Sequence, residues 1–178
     1  VDNNALFYKS PDLMDGLNIT MSYNPQGSNA SSEMGYGFNY TGVEGLSLSY
    51  GTTDVETGTA STSGDNEVFS ASYAYGPVTV SYTDMEASVA AASNALDGTS
   101  TSYAVSYTVS DELSVTYGSE THDQGSTSVD MEVEGISVAY TTGGMTVTGK
   151  MQSLDNGNFA TGTSNDLDYW ALGASFAF

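Results

Sequence analysis

The sequence predicts an all-β fold, a transmembrane antiparallel up-and-down β-barrel or a large part of one. Three observations predict it. Apolar residues recur at every second position along most of the chain, the period of a sheet with two unlike faces. The links between these segments alternate between short and long. The chain ends in Tyr169-Trp170-Ala171-Leu172-Gly173-Ala174-Ser175-Phe176-Ala177-Phe178, an aromatic strand that alternates to its last residue.

Composition narrows the choice. A chain of 178 residues could form a soluble domain with a core. Leu and Ile are scarce, however, and Gly, Ser, Thr and Tyr dominate. No apolar run is long enough for a membrane helix. Low mean hydropathy with a net charge of −20 would also suit a disordered chain. Thirteen Tyr and six Phe in alternating segments argue for a pleated surface instead.

The charge is one-sided, with 22 Asp and Glu against Lys9 and Lys150 and no Arg. Such a chain excludes a nucleic-acid partner, which needs Lys or Arg against phosphate. Cationic or divalent-ion partners fit better. The absence of Cys removes disulfides, thiolate nucleophiles and Cys-based metal sites. Val1 opens no signal-peptide pattern, so the sequence reads as mature, processed or incomplete.

The elements follow in order. Leu17, Ile19, Met21 and Tyr23 alternate with Asn18, Thr20, Ser22 and Asn24. Leu46, Leu48 and Tyr50 alternate with Ser47 and Ser49, and Val78, Val80 and Tyr82 with Thr79 and Ser81. The same pattern runs through Tyr103–Val109, Leu113–Tyr117, Ile136–Thr141 and Met145–Gln152. The spacing predicts about eleven strands. They lie near residues 4–10, 17–24, 34–41, 46–53, 67–75, 77–86, 100–109, 113–120, 130–141, 145–153 and 167–178. Ala87–Ala95 is Ala-rich but falls in a link.

Short turns are expected at Pro11–Gly16, Gly42–Gly45, Gly76-Pro77, Ser110–Glu112 and Thr142–Gly144. Longer links are expected near Pro25–Glu33, Asp54–Asn66, Ala87–Thr99, Thr121–Val129 and Leu154–Asp166. Strict alternation of the two classes matches a membrane barrel with tight turns on one side and loops on the other. A soluble β-sandwich has no reason to sort its links this way.

In a barrel the apolar face meets lipid and the polar face lines a wet interior. Tyr23, Tyr40, Tyr82, Tyr140 and Trp170 sit toward the ends of apolar stripes, where a ring and its polar tip share the interface. The candidate lumen residues are Asn18, Thr20, Asn39, Ser47, Thr79, Thr116, Lys150 and Gln152.

The last strand places Trp170, Leu172, Ala174, Phe176 and Phe178 on one parity. It resembles the C-terminal signature of bacterial outer-membrane barrels, in which the closing strand ends in Phe. The resemblance assigns Trp170, Leu172, Phe176 and Phe178 to barrel closure and assembly. At the other end, Tyr8-Lys9-Ser10-Pro11 followed by Gly16-Leu17-Asn18-Ile19-Thr20-Met21-Ser22-Tyr23 resembles a hairpin of the Gram-negative diffusion porins. The pattern covers essentially the whole chain, the residue detail only its two ends.

That resemblance implies one β-barrel domain over 1–178, corresponding to the last eleven strands of a barrel of about sixteen, with the remaining strands and a constriction loop before Val1. A complete barrel of about ten or twelve strands is the alternative. It implies an outer-membrane location, a water-filled channel for passive diffusion of small hydrophilic solutes and ions, and a homotrimer. A non-channel barrel with an adhesive or structural role is the competing function. Diffusion porins set an Arg/Lys cluster opposite acids. This chain has no Arg, which predicts a preference for cations.

No catalytic constellation emerges. His122, the only histidine, falls on an expected outer link beside Glu120 and Asp123. No nucleophile elbow, carboxylate pair or phosphate loop accompanies it. No cofactor is expected. Asp155-Asn156-Gly157-Asn158 and Gly64-Asp65-Asn66-Glu67 offer oxygen ligands for loosely bound Ca²⁺ or Mg²⁺ without matching an EF-hand. Glu67, Asp84, Glu86, Asp166 and Asp168 continue the outward parity beyond the aromatics, which predicts an external acidic collar facing lipopolysaccharide through divalent ions. Asp130, Glu132 and Glu134 alternate with Met131 and Val133. A bulge at Gly135 would reverse their direction, so their face stays open.

Overall fold

The computed structural model describes residues 5–25, 31–59, 62–90 and 97–177. They form one antiparallel sheet whose strands neighbour one another in sequence order. The strands are β1 (Leu6–Lys9), β2 (Leu17–Asn24), β3 (Ser32–Tyr40), β4 (Leu46–Glu56), β5 (Gly64–Tyr75) and β6 (Val78–Val89). The sheet continues with β7 (Gly98–Thr108), β8 (Leu113–Gln124), β9 (Met131–Thr142), β10 (Met145–Asp155) and β11 (Leu167–Phe176). This is the up-and-down order that period-two alternation and hairpin turns dictate. Among the described residues the strand count is 11, neither ten nor twelve, and β1 and β11 do not pair, so the sheet is open.

Strands run further into the long links than alternation of apolar residues indicates. β5 begins at Gly64 rather than near Glu67, and β8 ends at Gln124 rather than Glu120. Backbone pairing continues there while Asp, Glu, Ser and Thr replace the apolar face, so the hydropathy signal stops before the ladder does. The long links shrink to residues 25–31, 57–63, 90–97, 125–130 and 156–166. The first short turn, residues 10–16, is then as long as the link 25–31. Length alone therefore separates the two classes less sharply than expected.

The tight turns follow from backbone sterics. Gly143 and Gly144 between β9 and β10 both take positive φ, 55° and 82°, as a two-residue type I′ hairpin requires. At the first turn Ser10 is the one buried polar residue among those described. Its amide donates to the Ile19 carbonyl and its Oγ accepts from the Ile19 amide, both at 2.9 Å. The side chain thus completes a ladder rung at the point where Pro11 turns the chain away. This is the physical content of the Tyr-Lys-Ser-Pro segment.

No hydrophobic side chain is buried among the described residues. A single sheet has no second layer to pack against, and the large apolar groups lie open. Trp170 is 74% exposed, Leu172 73% and Leu6 68%. Such an area cannot face water stably and needs an apolar surround.

Candidate functional site: the two faces of the sheet

Pairing register decides which side each residue occupies, and it runs without a bulge from β2 to β11. One face carries rows such as Leu46, Tyr73, Val80, Val105, Tyr117, Ile136, Met151 and Trp170, each directly opposite the next. A further row continues Tyr75, Val78, Tyr107, Val115, Val138, Gly149 and Leu172. Aromatic residues bracket this apolar field. Tyr73, Tyr75, Tyr107, Tyr140 and Phe176 lie toward the short-turn end, and Tyr50, Phe69, Tyr82, Tyr103, Tyr117 and Trp170 further along their strands, next to where the acids begin. Two aromatic girdles flanking an apolar band are the outward surface of a membrane barrel.

The opposite face is polar and small. Asn18 pairs with Asn39, Thr79 with Ser106, Ser106 with Thr116, and Lys150 with Ser137. Hydroxyls bridge neighbouring strands at Ser70–Thr83 (3.1 Å), Ser106–Thr116 (2.8 Å) and Thr141–Thr146 (3.0 Å). The candidate lumen residues Asn18, Thr20, Asn39, Ser47, Thr79, Thr116, Lys150 and Gln152 all fall on this face. Both lysines do so as well. Lys9 pairs with Thr20, and the Lys150 ammonium lies 5.1 Å from the centre of the Tyr169 ring.

The acids sort the other way. Glu67, Asp84, Glu86 and Asp168 lie on the outward face, past the upper girdle. Asp54, Glu56, Asp65, Asp123, Glu132, Glu134 and Asp155 join them. With no bulge at Gly135, Glu132 and Glu134 share the outward face of Ile136. Asp166 stands apart, just before β11, where its Oδ1 accepts from the Asn156 amide at 3.1 Å. Three pairs of acids stand directly opposite one another: Asp54 and Asp65, Glu67 and Glu86, Glu132 and Asp155.

Tyrosines of the upper girdle reach up to this collar. Tyr50 Oη donates to Glu67 Oε1 at 3.0 Å, Tyr82 Oη to Asp84 Oδ2 at 3.1 Å and Tyr117 Oη to Glu134 Oε2 at 2.8 Å. Each joins a ring at the boundary to a carboxylate beyond it. Asp84 also accepts from Thr101 Oγ1 at 2.8 Å.

Sequence reasoning missed the inner side of the same zone. Where the outward face turns acidic, the inward face turns apolar. Val68 stands opposite Met85, and Val133 opposite Leu154, which stands opposite Leu167. The signal was present in Asp84-Met85-Glu86 and Glu132-Val133-Glu134, where the apolar residue has the wrong parity for lipid. His122 also departs from expectation. It lies in β8 on the inward face rather than in a link, with Nε2 3.2 Å from Glu120 Oε1, and Ser100 Oγ donates to the same oxygen at 3.1 Å. Extended pairing up to Gln124 put it there.

The calcium segments do not converge. Residues 64–67 belong to β5, so Asp65 and Glu67 point away from Asn66. The Asn156 side-chain amide is engaged with the Asp130 carbonyl at 3.1 Å. Among the described residues no group of three or more His, Cys, Asp and Glu could hold a metal ion. Of the closing-strand residues, Trp170, Leu172 and Phe176 lie on the outward face of β11, and Phe178 lies outside the described residues.

Known proteins have the same architecture. A family profile described as Gram-negative porin matches residues 1–133, ending within β9. No curated protein matches the sequence. A porin refined at 1.8 Å aligns over 99% of this chain and 62% of its own, with a TM-score of 0.71 at 18% identity. OmpT of Vibrio cholerae aligns over 97% and 64%, with a TM-score of 0.67 at 16% identity. The NanC porin aligns over 100% and 96%, with a TM-score of 0.57 at 10% identity. The chain thus spans less than two thirds of the first two. The profile covers about three quarters of the chain, β1 to β8 and the start of β9, and the two-faced sheet continues it in unbroken register to β11: the chain belongs to the Gram-negative porin family, the β-barrels of the bacterial outer membrane.

Proposed function

We propose that this protein forms a water-filled channel for passive diffusion of small hydrophilic solutes and ions, with a preference for cations. The observation that carries the reading is the inward face. Among the described residues it is a wall of hydroxyl, amide and small side chains behind a lipid-compatible surface, with Phe7 the one large apolar side chain below the mouth. Such a wall exchanges hydrogen bonds with passing water and imposes no binding step.

Cation preference rests on the mouth rather than on the wall. Strand residues facing inward include Lys9 and Lys150 against Glu33 and Glu120, a near balance. The collar and links carry most of the charge of −20. A negative rim raises the local concentration of cations and lowers that of anions. The expected partners are the bilayer, lipopolysaccharide bridged to the opposed acid pairs by Mg²⁺ or Ca²⁺, and two further copies in a homotrimer, the assembly common in this family. No enzymatic role is proposed.

Conductance in planar bilayers tests the reading, with the reversal potential in a KCl gradient as its second readout. Open channels with a cation-signed potential are expected. Absence of conductance would leave a non-channel barrel, and an anion-signed potential would overturn the preference.

A further inference from the structure

The longest link, residues 156–166 between β10 and β11, does not rise away from the sheet. Asn156, Asn158 and Phe159 take left-handed backbone angles, with φ of 55°, 59° and 56°. This conformation is disfavoured for a bulky aromatic residue and persists only where surroundings hold it. Several contacts hold it here. The Gly157 amide donates to the Asn165 carbonyl at 2.7 Å, and the Asn156 side chain ties the turn to Asp130 at the start of β9. Gly157 is buried, with no room for a side chain. A Cβ there would lie 2.6 Å from the Asn165 carbonyl oxygen and 3.4 Å from Leu154 Cδ2. Leu154 is an inward residue, so the turn lies over the inward side of the mouth.

The consequence is the position of Phe159. It shares a cavity with Val68, Met85, Ala87, Ser100 and His122, all inward residues of β5 to β8. The link therefore reaches across β9 and sets an aromatic ring opposite the apolar patch of the far strands. Glu120, bonded to Ser100, lies on the same face next to His122. An aromatic face, a thioether and a carboxylate together favour an organic cation over a bare, strongly hydrated ion.

We propose that the β10–β11 link folds into the mouth of the barrel, and that Phe159, Met85 and Val68 form an apolar entry site that narrows the passage and retains organic cations with an apolar body. This rests on the channel reading above. Because the chain has no Cys, introduced thiols report without background.

The test takes the purified protein in detergent and in planar bilayers. Phe159→Cys combined with His122→Cys should cross-link through a short bismaleimide, whereas Phe159→Cys with Ser119→Cys, on the outward face of the same strand and outside the cavity, should not. In bilayers, tetrabutylammonium should block the potassium current of the wild type, and Phe159→Ala should weaken that block several-fold while raising potassium conductance. Labelling Phe159→Cys with a bulky maleimide should reduce the current. Failure of the 159–122 cross-link in protein that retains heat-modifiable migration overturns the inward fold. An unblocked wild-type current, or one indifferent to labelling at 159, overturns the entry site and leaves the channel standing. A wild type without any current overturns the channel reading, and the entry site with it.

Discussion

Glu67 and Glu86 stand directly opposite each other on β5 and β6, both on the outward face, and Tyr50 donates to Glu67 at 3.0 Å. Like charges across an antiparallel pair cost stability, on the order of 0.2–1 kcal/mol. Two more such pairs occur along the same rim. An ordinary soluble surface would gain by separating them. A rim that meets divalent cations in the lipopolysaccharide layer gains by keeping them close, since one ion then neutralises two carboxylates.

Replacement of Glu86 by Gln should accordingly stabilise the barrel in chelator and reduce its response to Mg²⁺. The temperature at which heat-modifiable migration is lost on gels reads both effects. An equal Mg²⁺ response in wild type, Glu86→Gln and Glu132→Gln would remove the divalent-bridge account of the collar.

Opposite faces of β9 should respond oppositely to charge. Val138 lies in the apolar field between Val115 and Gly149, and Ser137 lies on the inward face beside Lys150. Val138→Arg places a cation in lipid at a cost of about 2–4 kcal/mol near the bilayer midplane. Ser137→Arg places it in water. Membrane-inserted yield should fall for the first variant and hold for the second.

Selectivity set by the rim should still respond to a change among the few inward charges. Lys150 is held over Tyr169 on the wall, so Lys150→Glu changes the local charge by two units without touching the collar. The reversal potential in a salt gradient should move toward stronger cation preference, more so at low ionic strength because the Debye length is then longer. Neutralising Asp84 and Asp168 should move it in the other direction.

At the first turn, Ser10→Ala should leave the Ile19 amide without its acceptor. Loss of a buried hydrogen-bond partner costs about 1–3 kcal/mol. The cost falls on the hairpin that joins β1 to β2. Faster amide exchange at Ile19, with exchange in β8 to β10 unchanged, is the expected outcome.

Much of this architecture was legible in the residues. Alternation of Val, Tyr, Leu and Ile with Ser, Thr and Asn marks strands and faces together, because a one-residue slip would put hydroxyls into lipid. Ser10-Pro11 and Gly143-Gly144 mark turns through hydrogen-bonding and backbone rules that act within a few residues. The eleven strands and the side taken by Lys150, Thr116 or Trp170 follow from such local chemistry.

The tertiary structure decided what depends on pairing between distant segments. Strand ends near Gly64 and Gln124 carry no apolar alternation, so only the ladder with their neighbours shows that they are extended. The uninterrupted register past Gly135 fixed the side of Glu132 and Glu134, which alternation left open. Phe159 was beyond local reading altogether. Its link is polar and rich in Gly and Asn, and its position comes from contacts with Asp130, Leu154 and Asn165 that no periodicity encodes. Local sequence determined a barrel wall with a wet side and a lipid side; long-range packing determined what stands in its mouth.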